Sequence, residues 1–136
     1  MSFEDITRQL EATDRMLCRA KELFEAGQLG KAERAYKKIL NDVVELYGPE
    51  SLKTCTCLSE LAEIAYAQES YAEVITLLEQ VIITNCRTSI LTNEQMLSIH
   101  FKLAKAFEKS NNIHEAYGVY SDLLKKSQQV LGPNAP

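Results

Sequence analysis

The chain has 136 residues, enough for one domain with a core of its own. Hydrophobic residues make up 46% and charged residues 25%, which is ordinary for a folded protein and argues against a disordered chain. A net charge of -4 makes nucleic acid or an anionic membrane an unsuitable main partner. No apolar run approaches the roughly 20 residues that span a bilayer, and the polar N-terminus is unlike a secretory signal. The composition predicts a cytoplasmic or nuclear protein, and we take the cytoplasm as the prediction.

Helices are predicted along the whole chain. Glycine and proline are scarce, at 5 and 3 residues, and apolar residues recur every three or four positions. In the N-terminal arm Phe3, Leu10 and Leu17 lie on one stripe, and Ser2 is a suitable N-cap with Asp5 in the first turn. In chain order the predicted helices cover about residues 3–26, 28–47, 51–68, 71–86, 93–110 and 112–131.

Three segments of the chain repeat one another without a gap. Residues 20–40, 62–82 and 104–124 align at a constant offset of 42 residues, and each reads as two helices. Ala20, Ala62 and Ala104 share one position, where a small side chain lets two helices approach closely. We predict a single domain over 1–136, with repeats at about 13–50, 51–92 and 93–133 and residues 1–12 as an N-terminal extension of the first helix.

The connections between helices fall into two kinds. Residues 46–51 (LYGPES) and 130–135 (VLGPNA) lie two periods apart, and both carry the glycine and proline of a helix stop. Residues 85–93 lack this pair, which predicts a looser or longer turn. Between paired helices, Gly27 and Asn111 suit a left-handed turn residue, whereas Glu69 at the same position is expected to cost stability.

This pattern resembles the tetratricopeptide repeat (TPR) family, whose repeats combine leucine, small and aromatic positions on two helices. The matching residues are Met16, Ala20, Leu23, Ala32 and Tyr36, then Leu58, Leu61, Ala62, Ala65, Val74, Leu78 and Val81, then His100, Leu103, Ala104, Phe107, Ala116 and Tyr120. Arg19 stands where a leucine is usual. The period of 42 residues, longer than the usual 34, and the Gly-Pro connections are similar to the kinesin-light-chain type.

The resemblance implies an all-α, right-handed superhelix of three helical hairpins, with the first helices lining a concave groove that binds a protein or peptide segment. It implies no catalysis and no cofactor, and it does not identify the partner. By family position, the candidate groove residues are Leu17, Lys21, Phe24, Glu60, Glu63, Tyr66, Phe101, Lys102, Lys105 and Lys109. Asp14, Cys18, Glu25, Thr56, Ser59, Ala67, Ser98 and Glu108 belong to the same inward face.

Charged residues of the groove share positions on neighbouring helices. Lys21, Glu63 and Lys105 are each 42 residues apart, and Glu60 lies the same distance from Lys102. One interpretation is that these charges pair with one another and set the register of the repeats. The other is that the lysines of the third unit bind acidic groups of a ligand.

A groove that grips a C-terminal carboxylate is not predicted. TPR domains of that kind use lysine, arginine and asparagine at positions that here hold Leu17 and Lys21, then Glu60, then Ser98 and Lys102. Only the two lysines are compatible, and Glu60 would repel a carboxylate.

Catalytic and metal-binding patterns do not emerge from the sequence. No nucleophile elbow, phosphate-binding loop or zinc-protease motif occurs, and His100 falls at a packing position. The four cysteines, Cys18, Cys55, Cys57 and Cys86, form no C-x-x-C pair. Cys55 and Cys57 are two residues apart on a helix, so they face opposite ways and are best interpreted as small hydrophobic residues. We therefore expect neither an enzyme nor a metal site.

Self-association is the alternative function. An uncapped end of a repeat array exposes apolar surface, which further repeats of a longer array or a second copy of the chain can cover. The candidate residues for this homo-oligomer contact are Leu123, Leu124 and Val130.

Overall fold

The computed structural model describes residues 2–131, and for residues 130 and 131 it describes the backbone alone. The helices are α1 (Phe3–Glu25), α2 (Leu29–Tyr47), α3 (Leu52–Ala67), α4 (Tyr71–Thr88), α5 (Asn93–Lys109) and α6 (Ile113–Leu131). No strand occurs within 2–131. None of the helices there combines the length and apolar character that a bilayer crossing requires.

Each helix packs against its neighbours in chain order, so the chain folds as a linear array of hairpins. The hairpins are α1–α2, α3–α4 and α5–α6, and the second helix of one hairpin also packs on the first helix of the next. This arrangement confirms the predicted all-α helical-repeat superhelix. The predicted helix bounds agree with the observed ones to within two residues.

The buried side chains form two clusters, one at each hairpin–hairpin junction. The first core cluster joins α1 and α2 to α3 and contains Ala20, Tyr36, Ile39, Val43, Cys57, Leu61 and Ile64. The second core cluster joins α3 and α4 to α5 and contains Cys55, Leu58, Ala62, Val74, Leu78, Val81, Ile99, Leu103 and Ala106. Each cluster therefore combines packing within one hairpin with packing on the first helix of the next hairpin.

Cys55 and Cys57 of α3 belong to different core clusters. Cys57 points into the first core cluster and Cys55 into the second, as their spacing predicts. Burial raises the pKa of the Cys57 thiol to about 11, with a further contribution from the charge of Glu60. Both thiols are buried and act as small hydrophobic side chains.

Hydroxyl side chains cap the first helix of every hairpin. Ser2 Oγ accepts the Asp5 backbone N–H at 3.2 Å, which confirms the predicted cap of α1. Ser51 Oγ accepts the Thr54 N–H at 3.1 Å at the start of α3. Thr92 forms a capping box with Gln95, in which each side chain accepts from the other residue's backbone N–H.

The middle connection differs from the prediction in length. Residues 89–92 link α4 to α5, as many as residues 48–51 between α2 and α3, so the turn is no longer than its counterpart. Both helix ends have a positive φ: Ser89 takes the left-handed conformation with φ 51°, and Gly48 after α2 has φ 92°. Asn85 Oδ1 accepts the Leu91 N–H at 2.9 Å, and this bond holds the turn in the absence of a Gly-Pro pair.

The turn within the second hairpin carries backbone strain. Glu69 has φ 61°. The residues at the corresponding positions of the other hairpins, Gly27 and Asn111, have φ 80° and 65°. A residue other than glycine at this positive φ loses about 1 kcal/mol of stability. Glycine removes this loss, but part of the gain is cancelled because glycine has the greater conformational entropy in the unfolded state. We expect Glu69→Gly to raise the free energy of unfolding by about 0.5 kcal/mol in denaturant titration. Glu69→Ala keeps the strain and serves as the control; a Gly variant less stable than the Ala variant would contradict the prediction.

Tyr36 buries its hydroxyl without a hydrogen bond. The side chain is fully buried in the first core cluster, and no acceptor or donor within 2–131 reaches its hydroxyl. Burial raises the pKa of this hydroxyl above its ordinary value, and the charge of Glu60 adds to the effect. Because an unpaired buried hydroxyl is costly, we expect Tyr36→Phe to stabilise the chain by about 1 kcal/mol in chemical unfolding. Tyr120→Phe is expected to destabilise the chain instead, since the Tyr120 hydroxyl donates a hydrogen bond to Glu108.

His100 packs and also links two helices. It is buried on α5, as predicted for its position. Its Nε2 lies 3.2 Å from Lys126 Nζ of α6, and its Nδ1 lies 2.8 Å from the Met96 carbonyl oxygen. The lysine ammonium is a donor, so Nε2 accepts and Nδ1–H donates. The ring therefore ties α6 to α5.

Candidate functional site

A depression lies between α3 and α5, with α4 behind it. Its volume is about 210 Å³. The floor is apolar, and the rim carries aromatic and charged side chains. The lining residues are Ala62, Glu63, Tyr66, Val74, Leu78, Phe101, Lys102 and Lys105. We call this depression the groove pocket. It brings together five of the residues predicted for the groove, namely Glu63, Tyr66, Phe101, Lys102 and Lys105.

The aromatic walls of the groove pocket are braced by the second helices. Tyr66 of α3 meets Tyr71 edge-on, with ring centroids 5.4 Å apart. Phe101 of α5 meets Tyr120 in the same way at 6.2 Å. Phe101 nevertheless keeps 45% of its surface exposed, so its free face is available to a ligand.

The lysines of α5 differ in their contacts. Lys102 Nζ forms an ion pair with Glu63 of α3. Lys105 Nζ lies 5.1 Å from the centre of the Phe101 ring, a cation–π contact. Glu63 shares its repeat position with Lys105, but it contacts Lys102, which lies one turn earlier on α5. The pairing supports the interpretation that these charges link neighbouring repeats.

Two lysines remain without an acidic partner. No carboxylate of residues 2–131 lies within ion-pair distance of Lys105 or Lys109, and both side chains are exposed. They are four residues apart on α5 and share one helix face. This face can therefore accept negative charge from another molecule.

A second depression, of about 190 Å³, adjoins the groove pocket toward the start of α3 and α5. Its polar lining includes Thr56, Ser59, Glu60, Gln95, Ser98 and Lys102. Glu60 and Lys102, which share a repeat position, lie around this depression. The two depressions meet at Lys102 and Leu78, so they form one continuous surface along α3 and α5.

The predicted groove residues of α1 do not line either depression. Leu17 and Phe24 are half-buried and pack against the first core cluster, so part of their surface serves the repeat interface. Lys21 is exposed on α1, and Lys109 lies at the last position of α5. Sequence reasoning missed Ala62, Val74 and Leu78 as the pocket floor, although their small or aliphatic repeat positions were the available signal.

The residues predicted for self-association lie on or near α6. Leu124 is 62% exposed and Leu123 is half-buried. The side chain of Val130 falls outside the described part of the chain. Among the residues that the structure describes, no cluster of three or more His, Cys, Asp or Glu side chains could hold a metal ion.

Solved structures share this fold at low sequence identity. BtubC (BKLC) from P. vanneervenii matches with TM-score 0.77 and 12% identity, over 83% of this chain and 45% of that one. The N-terminal domain of stress-induced protein-1 (STI-1) from C. elegans matches with TM-score 0.70 and 17% identity, over 87% and 86%. A putative kinesin light chain with nearly identical TPR-like repeats from Podosopora anserina matches with TM-score 0.73 and 22% identity, over 86% and 55%.

The chain spans about half the length of the first and third of these proteins. No curated protein matches its sequence. The family model of the tetratricopeptide repeat matches residues 13–82, which is slightly more than half of the chain. Together with the three stacked hairpins, this match shows that the chain belongs to the tetratricopeptide repeat family.

Proposed function

We propose that this chain is a non-catalytic adaptor or scaffold module of the cytoplasm that binds a protein or peptide segment along α3 and α5. Tetratricopeptide repeat domains generally mediate protein–protein interactions. The groove pocket supports the proposal, because an apolar floor beside exposed aromatic and charged side chains suits an extended segment. The domain and repeat bounds predicted from the sequence are part of this proposal.

The proposed segment is acidic. The observation that carries this choice is the pair Lys105 and Lys109, which have no carboxylate partner within 2–131. Glu63 already neutralises Lys102, so the other two lysines supply the free positive charge. An aliphatic or aromatic side chain of the segment would enter the groove pocket, and acidic groups beside it would contact the lysines.

An array of immobilised peptides tests the proposal. The array carries acidic, neutral and basic peptides that share a central pair of leucines, and it is probed with the fluorescently labelled chain at low and high salt. We expect binding to the acidic series, weakened by salt because exposed charge pairs are screened. Equal binding to the three series would contradict an acidic ligand, and binding to none would contradict the groove.

Removing the acidic partner of Lys102 is expected to strengthen binding of the acidic peptides. Glu63→Gln frees Lys102 and removes a negative charge from the pocket rim while keeping the side-chain size. An exposed pair contributes up to about 1 kcal/mol, so we expect an affinity gain of about fivefold in fluorescence titration. Glu79→Gln changes the net charge equally at an exposed site of α4 and is the control. Equal gains from the two variants would mean that only net charge matters.

Self-association through α6 is the second candidate function. The observation that favours it is Leu124, whose counterparts in the earlier repeats, Leu40 and Ile82, are partly buried against core clusters. Leu124 is exposed instead. Sedimentation of the chain over a range of concentrations tests this function.

A further inference from the structure

An apolar stripe runs along the outer face of α6. Ile113, Tyr117 and Leu124 are 60%, 75% and 62% exposed. They are spaced four and seven residues apart, so they lie on one face of the helix. Ser121 and Gln128 continue that face without adding a formal charge. We call these three apolar side chains the α6 stripe.

The α6 stripe continues the interface that joins the hairpins. One period earlier, Tyr117 corresponds to Ile75 and Leu124 to Ile82. Ile75 and Ile82 are partly buried against the second core cluster, which includes α5 of the following hairpin. The α6 stripe therefore has the chemistry of a surface that another helix covers.

The opposite end of the array is polar. The residues of α3 that join the first core cluster include Cys57, Leu61 and Ile64, and those of α5 that join the second include Ile99, Leu103 and Ala106. The residues of α1 at these repeat positions are Arg15, Arg19 and Glu22. All three are exposed, and charged residues there resist burial against an apolar helix.

The difference between the two ends limits how two copies can meet. A head-to-tail contact would bury Arg15, Arg19 and Glu22 of one copy against the α6 stripe of the other, without compensating charges. A two-fold contact places one α6 stripe on another, as in an isologous dimer. Each side chain near the axis then meets its own counterpart, and the absence of formal charge on the stripe avoids like-charge repulsion.

We propose that a second copy of this chain covers the α6 stripe, forming a closed two-fold dimer and not an open head-to-tail assembly. The proposal rests on the second candidate function, self-association through α6. The proposal extends the predicted contact to Ile113 and Tyr117 and states that the contact is two-fold.

Sedimentation velocity of the purified chain over a range of concentrations tests the dimer. We expect a monomer–dimer equilibrium that does not grow further, and Leu124→Lys is expected to raise the dissociation constant at least about tenfold. Tyr117→Lys repeats the test at the most exposed position of the stripe. Ile83→Lys, which changes another exposed residue at 56%, is the matched control and should leave the dimer intact. Far-ultraviolet circular dichroism and thermal unfolding verify that each variant folds.

A mixing experiment separates the two symmetries. Labelled Leu124→Lys is added to wild-type chain and followed by fluorescence anisotropy. A two-fold contact uses both stripes, and the heterodimer carries one altered and one intact stripe. It should therefore form more weakly than the wild-type homodimer and more strongly than the variant homodimer. A head-to-tail contact would pair the wild-type stripe with the intact α1 face of the variant at wild-type affinity, and Arg19→Glu would then disturb it.

Two results overturn the two-fold proposal while self-association stands. One is sedimentation of species larger than a dimer, and the other is a heterodimer that forms with wild-type affinity. A strict monomer at all concentrations overturns both and leaves the stripe to another partner, such as a further hairpin. Neither result bears on the peptide array, so failure of the groove and failure of the dimer are distinguishable.

Discussion

Leu78→Ala is expected to lower the free energy of unfolding by about 3 kcal/mol. Leu78 is fully buried in the second core cluster, where it joins α4 to α3 and α5. The truncation removes its burial from water and leaves a cavity that the surrounding helices fill only in part. Because hairpins of a repeat array depend on their neighbours, α5 and α6 should loosen before α1 and α2. Urea unfolding measures the first effect, and amide hydrogen exchange measures the second.

The same truncation deepens the groove pocket, because Leu78 forms part of its floor. Peptide binding should therefore weaken even under conditions where the variant remains folded. Ile83→Ala truncates an exposed side chain of the same helix and is the control, with an expected loss below about 1 kcal/mol. Similar losses from the two variants would contradict the assignment of Leu78 to the centre of the core.

Helix positions were predictable because their causes are local. The spacing of apolar residues at three and four, together with Ser2 as a cap, is sufficient to place α1. The constant offset of 42 residues then transfers the assignment to the later hairpins. Even the strain at Glu69 follows from this offset, since Gly27 and Asn111 mark the position as left-handed.

Arg19 shows how an exception to the repeat pattern carries structural information. Its counterparts Leu61 and Leu103 are buried against the preceding hairpin. Nothing within 2–131 packs there on α1, so arginine is tolerated at the exposed position. The sequence marked Arg19 as a departure from the repeat pattern. Whether arginine is tolerated there depends on whether another hairpin packs on this face of α1, and the sequence of a single repeat does not show that.

Side-chain pairing between repeats was less predictable. A shared period places Glu63 beside Lys105, but the ion pair forms with Lys102, one turn earlier. Long side chains choose among several partners within reach, and contacts with other groups decide between them. Here Lys105 lies over the Phe101 ring, which leaves Lys102 for the carboxylate. Repeat position therefore predicts residues of α3 and α5 that line the groove pocket, whereas side-chain rotamers determine which of them remain free for a ligand.

That distinction leads to the largest expected effect on binding. Simultaneous Lys105→Glu and Lys109→Glu substitution should weaken acidic peptide binding about 30-fold at low salt. Each exposed charge contact contributes about 1 kcal/mol, and reversal of two of them corresponds to at least 2 kcal/mol. The difference should shrink as ionic strength rises, because the Debye length falls to about 8 Å at physiological salt. Fluorescence anisotropy with a labelled peptide from the acidic series measures the affinities.

Two further variants separate local contact from net charge. Lys31→Glu with Lys38→Glu changes the net charge by the same amount on exposed positions of α2, and we expect less than about a threefold loss. Lys105→Gln with Lys109→Gln removes the attraction without adding repulsion and should fall between the control and the reversal. If the α2 pair weakens binding as strongly as the α5 pair, the overall field of the protein attracts the peptide and the groove has no special role. A graded loss confined to α5 instead places the acidic groups of the ligand beside Phe101, because Lys105 lies over that ring.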